Sequence, residues 1–150
     1  MRSDGLQETY VGVGDDGFVE TEDEPAVGLI EQIEAGGGRL RVGDRGEVNL
    51  MAPQWVQLAA PVLERGYVLL LDYGAPADLL YGELHPRGTL RCYWQHTMNE
   101  APYARVGLQD ITAHVDLSAV ARAGQRAGLA DGGQQLLRGS RRRRSASSTS

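Results

Sequence analysis

The feature that most constrains this 150-residue chain is residues 66–74, which read Gly-Tyr-Val-Leu-Leu-Leu-Asp-Tyr-Gly. A continuous apolar run bounded by glycines and preceded by a helix is how a strand covered on both faces reads. It predicts a central parallel strand, and with it an α/β fold. The preceding helix is drawn from Pro53 through Trp55, Leu58, Ala59, Val62 and Leu63, with Pro61 expected to kink it at a cost of about 3 kcal/mol.

Around that strand the pattern is shorter-ranged. Residues 6–13 alternate polar and apolar side chains, Asp15-Asp16-Gly17 supplies a turn and residues 18–20 resume an extended pattern, predicting a β-hairpin. Ala26, Leu29, Ile30 and Ile33 fall on one helical face, with Pro25 at its first position and Gly36 past its end. Leu40 and Val42 suggest a strand, Gly43-Asp44 a turn and residues 47–50 another extended stretch. Residues 75–110 read as a long loop with one strand inside it, residues 88–94. Asp116 is placed to cap a helix from Leu117 to about Leu129, with Leu117, Val120 and Ala121 on one face.

Composition closes several classes of function. No apolar run approaches the roughly 18 residues of a membrane span, and residues 1–11 lack the apolar core of a secretory signal. The chain is therefore expected in the cytoplasm. The single cysteine, Cys92, fits a reducing compartment and reads as a buried strand thiol. All 15 basic residues are arginine, five of them at positions 138 and 141–144. Residues 1–137 then hold 10 arginines against 20 acids, a balance that argues against a nucleic-acid enzyme. Residues 132–150 lose the apolar pattern and are expected to be a disordered Arg/Ser-rich tail.

Among residues that could carry chemistry, Gly12, Gly14 and Gly17 match the dinucleotide fingerprint in letters only. No helix follows, and Asp15 and Asp16 would repel a phosphate. Asp72, Tyr73 and Gly74 end the buried strand, where ligands sit in α/β sheets. Residues 109–116 read Gln-Asp-Ile-Thr-Ala-His-Val-Asp; if extended, they would place Asp110, Thr112, His114 and Asp116 on one face. His85, His96 and His114 lack the spacing of known zinc sites, so no metal is expected.

With those segments in view, the chain resembles the MidA-like methyltransferases, the family of a mitochondrial complex I assembly factor that methylates an arginine. Residues 66–74 look like the family's strand ending in Asp-Tyr-Gly, residues 88–93 like its following loop block, and residues 109–116 like its most specific signature. The resemblance implies an α/β fold: a partial class I methyltransferase (Rossmann-like) sheet with a β-hairpin insertion, lacking the N-terminal donor-binding strands. Residues 1–131 would be the C-terminal part of that domain, and Met1 would fall after the segments that hold S-adenosyl-L-methionine. It implies an S-adenosyl-L-methionine-dependent protein arginine N-methyltransferase, inactive as this piece alone. Asp72, Tyr73 and Gly74 would be substrate-binding, Asp110, His114 and Asp116 catalytic, with a protein as substrate and a missing N-terminal half as partner. The rival expectation is a non-catalytic interaction module or a split-gene fragment needing a partner chain; an exposed apolar flank along residues 68–71 would favour it. A nucleic-acid binder acting through the basic tail ranks last.

Overall fold

The computed structural model describes residues 5–133; the rest of the expected Arg/Ser-rich tail lies outside them. Strands β1 (Glu8–Gly14) and β2 (Gly17–Asp23) form the expected hairpin, with Gly14 opposite Gly17 across a two-residue turn. Gly12 pairs with Val19 inside that ladder, so the fingerprint glycines are hairpin residues. Helix α1 (Leu29–Ala35) begins later than predicted, because Gly28 at φ 96° breaks the chain just before it and leaves Pro25 and Ala26 outside. Leu29 and Ile33 are buried, Ile30 is exposed, and Gly36 ends the helix as expected.

Residues 40–50 depart from the two expected strands and contribute only one isolated bridge, Arg45 to Arg87. Asp44 accounts for this locally. Its carboxylate accepts the Arg41 amide at 2.9 Å while its own amide donates to the Arg41 carbonyl at 2.9 Å, closing a turn that competes with strand pairing. Helix α2 (Met51–Ala59) follows, with the Asn49 side-chain oxygen accepting the amides of Met51 and Ala52. Pro61 then falls in the first turn of a 3₁₀ helix, Ala60–Val62, where its missing N–H costs little.

The largest correction concerns residues 66–74. Only their last residue enters a strand, β3 (Gly74–Ala75), and residues 67–72 run without regular secondary structure. Tyr67, Leu69 and Leu71 are 97%, 78% and 79% exposed, against 38% and 43% for Val68 and Leu70. That alternation is strand-like, but among the described residues no neighbouring strand covers it.

Strand β4 (Arg91–Trp94) falls within the expected strand at residues 88–94, while helix α3 (Ala77–Leu80) and β5 (Thr97–Asn99), which makes a hairpin with β4, lie in what reads in sequence as loop. The tight turn of that hairpin sets both Gln95 and His96 at positive φ. Strand β6 (Asp110–Thr112) pairs antiparallel with the other edge of β4, giving the order β5-β4-β6. Strand β7 (Val115–Asp116) leaves that sheet and pairs in parallel with β3, then passes directly into α4 (Leu117–Arg126).

The core lies under α3: Ile33, Ala77, Leu80 and Tyr81 are buried, with Leu6, Leu40, Val48 and Ala75 packed against them. Burying one such leucine contributes about 1.5–3 kcal/mol. A second contact joins α2 to α4, with Val56 and Ala60 buried on one side and Ala119 and Ala123 on the other. The predicted face of Leu117, Val120 and Ala121 is therefore only half-buried; the small residues carry the packing because they allow close approach of the helices. Cys92 is fully buried in β4, as its strand context implies. No helix of the described residues is long and apolar enough to cross a membrane.

Candidate functional site

The β3–β7 pairing decides which of the candidate residues meet. Gly74 lies beside Val115, and the Tyr73 carbonyl accepts the Val115 amide at 2.8 Å, so the Asp72-Tyr73-Gly74 edge adjoins His114. Gly74 is required there, because a Cβ at that position would run into the Val115 carbonyl and crowd Leu117. Tyr73 is 82% exposed, and Asp72 turns its Oδ1 back onto the Tyr73 amide at 2.7 Å. Both side chains are thus available at the rim.

His114 is held by its backbone. Its amide donates to Thr89 Oγ1 at 3.0 Å, and Thr89 in turn donates its hydroxyl and its amide to Glu47 Oε2 at 3.0 and 2.6 Å. Gly88, at φ 75°, lets the chain press against that carboxylate, since a Cβ there would collide with Glu47. The imidazole of His114 remains exposed and stands edge-on to His85, with ring centroids 5.9 Å apart. Glu47, Thr89 and His85 form the support of this site, and sequence reasoning missed Glu47 altogether. Its only signal is a carboxylate in an irregular segment, which becomes meaningful once Gly88 is seen against it.

The four-residue face expected of residues 110–116 does not form. The chain changes sheets between Thr112 and Val115, so Asp110 stays with β4, opposite Tyr93, while Asp116 turns inward. Asp110 is exposed, whereas Asp116 is 5% exposed and caps α4, its Oδ1 accepting the Ala119 amide at 2.9 Å. Asp116 Oδ2 is buried without a hydrogen-bond partner among the described residues. Burial raises the Asp116 pKa, opposed by the Ala119 amide and by Arg122. Burial also raises the Tyr81 pKa, reinforced by the charges of Asp116 and Glu47.

What this arrangement offers is an exposed imidazole next to the exposed Asp72 and Tyr73 at a small-residue edge, with Asp110 apart on β6, suited to orienting a polar group and moving a proton. The described residues do not fit S-adenosyl-L-methionine by themselves. Gly12, Gly14 and Gly17, which could cradle a donor, belong to a hairpin with no helix after it. A cavity of about 280 Å³ between α1, α2 and α4 is lined by Glu31, Gln32, Arg122 and Arg126, with no strand-end carboxylate to hold ribose hydroxyls. Among the described residues, no group of three or more His, Cys, Asp or Glu side chains converges as metal ligands would.

Residues 1–134 match the profile of the family described as "Putative S-adenosyl-L-methionine-dependent methyltransferase", and the chain belongs to that family. It is also similar to two crystal structures of proteins from Burkholderia thailandensis. One, solved in its native form, is 34% identical with a TM-score of 0.75, and the match covers 85% of this chain and 34% of that one. The other, bound to S-adenosyl-homocysteine, is 34% identical with a TM-score of 0.74, covering 85% and 33%. The chain thus spans about a third of the length of the structures it matches. A comparison with curated proteins finds no match.

Proposed function

We propose that this chain forms the acceptor side of a MidA-type, S-adenosyl-L-methionine-dependent protein arginine N-methyltransferase, and acts only when donor-binding strands complete its sheet. The exposed run at residues 67–71 supports the need for completion, in line with the split-gene expectation, and the family match supports the chemistry. Three of its side chains are more than three-quarters exposed on one face, although the segment has the composition of a strand buried on both. In the completed protein, a partial Rossmann-like sheet would continue across it, and S-adenosyl-L-methionine would be held by the added strands, as the family and the S-adenosyl-homocysteine in one matched structure support.

This chain's own groups would then handle the acceptor, a polypeptide arginine. Asp72 and Tyr73 contact it at the rim and Gly74 leaves room for it. Asp110 pairs with the guanidinium, and the His114 imidazole takes the proton lost by the methylated nitrogen. Asp116, buried beneath α4, acts as a positioning residue by fixing the start of that helix beside His114. In a mixture of this chain with a donor-binding segment, His114→Ala should lower methyl transfer to an arginine-containing polypeptide by about 10²–10⁴-fold while complex formation persists. Undiminished transfer would remove His114 from the reaction.

The second reading, a non-catalytic module docking on another chain, draws on the same open run and on α2. Met51, Trp55, Leu58 and Val62 line one side of that helix and its 3₁₀ extension and are all more than half exposed. Binding of a complementing segment without any methyl transfer would favour it.

A further inference from the structure

Helix α4 carries Arg122 and Arg126 four residues apart, neighbours on one helical face, and both line the cavity of about 280 Å³ between α1, α2 and α4. Neither forms an ion pair among the described residues, as Arg41, Arg45, Arg87 and Arg91 do. Arg122 is half-buried; it donates to the Gln32 carbonyl at 3.2 Å and acts on Asp116 only through space. Arg126 is exposed, and its guanidinium reaches no acceptor among the described residues. Like charges at this spacing weaken a helix, so two cations turned toward one cavity leave it short of negative charge. The cavity holds a single carboxylate, the exposed Glu31 of α1, which pairs with neither arginine, so its lining is net positive.

The geometry of the pair selects among anions. Four residues of helix separate the roots of the two side chains by about 6 Å along the axis, so their guanidinium groups meet a shared anion from different directions. A planar carboxylate offers one pair of oxygens and is saturated by one guanidinium fork. A tetrahedral oxyanion offers oxygen pairs on more than one side and takes a fork from each. We propose that Arg122 and Arg126 form a binding site for a tetrahedral oxyanion, the phosphate group of a small ligand, in the cavity between α1, α2 and α4. Pro53, Ala119 and Ala123 wall it with short side chains, which leaves room for what the phosphate is attached to. Glu31 opposes the anion and holds its affinity down. The site shares no residue with His114 or the Asp72-Tyr73-Gly74 edge, and it stands or falls independently of the methyl-transfer reading.

The experiment is a titration of the whole chain with inorganic phosphate, glycerol phosphate and acetate at constant ionic strength, followed by the arginine Nε–Hε signals in nuclear magnetic resonance. Saturable shifts of the Arg122 and Arg126 signals are expected with both phosphates and not with acetate. Tighter binding of glycerol phosphate assigns the site to a phosphate ester, and tighter binding of inorganic phosphate to the free ion. Arg126→Gln should weaken binding about tenfold, the worth of one charge-assisted fork, and Arg126→Lys, which keeps the charge without the fork, by less. Glu31→Gln should tighten it about two- to fivefold by removing the opposing charge. Both positions are exposed, so these variants leave the packing of α1 and α4 in place. Shifts spread equally over Arg138 and the arginines at 141–144, an equal response to acetate, or phosphate binding unchanged in Arg126→Gln and Glu31→Gln would each overturn the proposal.

Discussion

At the scale of single residues, Asp116 shows how one carboxylate can serve a fold while being strained by it. As the cap of α4 it accepts the Ala119 amide, a contact worth about 0.5–2 kcal/mol, yet its second oxygen is buried without a hydrogen-bond partner among the described residues. Asp116→Ala should lower stability to urea by roughly the value of the cap, while Asp116→Asn, an equally good capping residue without the buried charge, should hold or raise it. The pH dependence separates the two effects. Because burial raises this carboxyl above its ordinary value of 3.8, the folded chain binds the proton more tightly than the unfolded one. The contribution to stability is therefore fully present below 3.8 and is lost as pH rises through the elevated folded value. Urea midpoints of the natural chain should fall relative to Asp116→Asn as pH increases through that window; parallel curves would show that the charge is not desolvated.

Thr89 makes the second residue-scale case, since it links the Glu47 carboxylate to the backbone of His114. Thr89→Val keeps the shape but leaves the His114 amide and a Glu47 oxygen with one donor or acceptor fewer. It should cost about 1–3 kcal/mol in urea denaturation and loosen residues 113–115 to amide hydrogen exchange. Unchanged exchange there would mean that Thr89 does not support the site.

At the scale of elements, legibility followed locality. The β1–β2 hairpin and the Asp116 cap could be read because a turn pair and a side-chain oxygen each act within a few residues, whereas the helix expected to run through Pro61 ends at Ala59 and gives way to a 3₁₀ turn. The expected strands at residues 40–50 failed because the Asp44 turn outcompeted them, and β5 was missed because Gln95 and His96 make a tight turn without the usual Asn or Gly. The candidate site was legible only in part. Residues 109–116 read as one polar face, of which only His114 comes beside the Asp72–Gly74 edge, because the change of sheet between Thr112 and Val115, which turns Asp116 inward and leaves His114 out, depends on partners distant in sequence. Residues 67–71 were legible as composition and not as structure, because burial needs neighbours that no local pattern can supply. That element carries its own prediction. The double substitution Leu69→Asp and Leu71→Asp, at positions more than three-quarters exposed, should change the free chain's stability by less than about 0.5 kcal/mol at each position. It should nonetheless abolish association with a donor-binding segment, measured by size-exclusion chromatography. Strong destabilisation of the free chain would show that the run is already packed.

At the scale of the whole molecule, the described residues hold a small core under α3 and a helix pair, with three short sheets that do not join into one. The chain belongs to the methyltransferase family and matches about a third of each of two structures roughly two and a half times its length. The most direct test is isothermal titration with S-adenosyl-L-methionine of this chain alone, and of this chain mixed with the part of a Burkholderia thailandensis relative that it does not match. Binding only in the mixture, beyond what that part shows alone, is the predicted result. Binding by this chain alone, or no gain on mixing, would contradict the account.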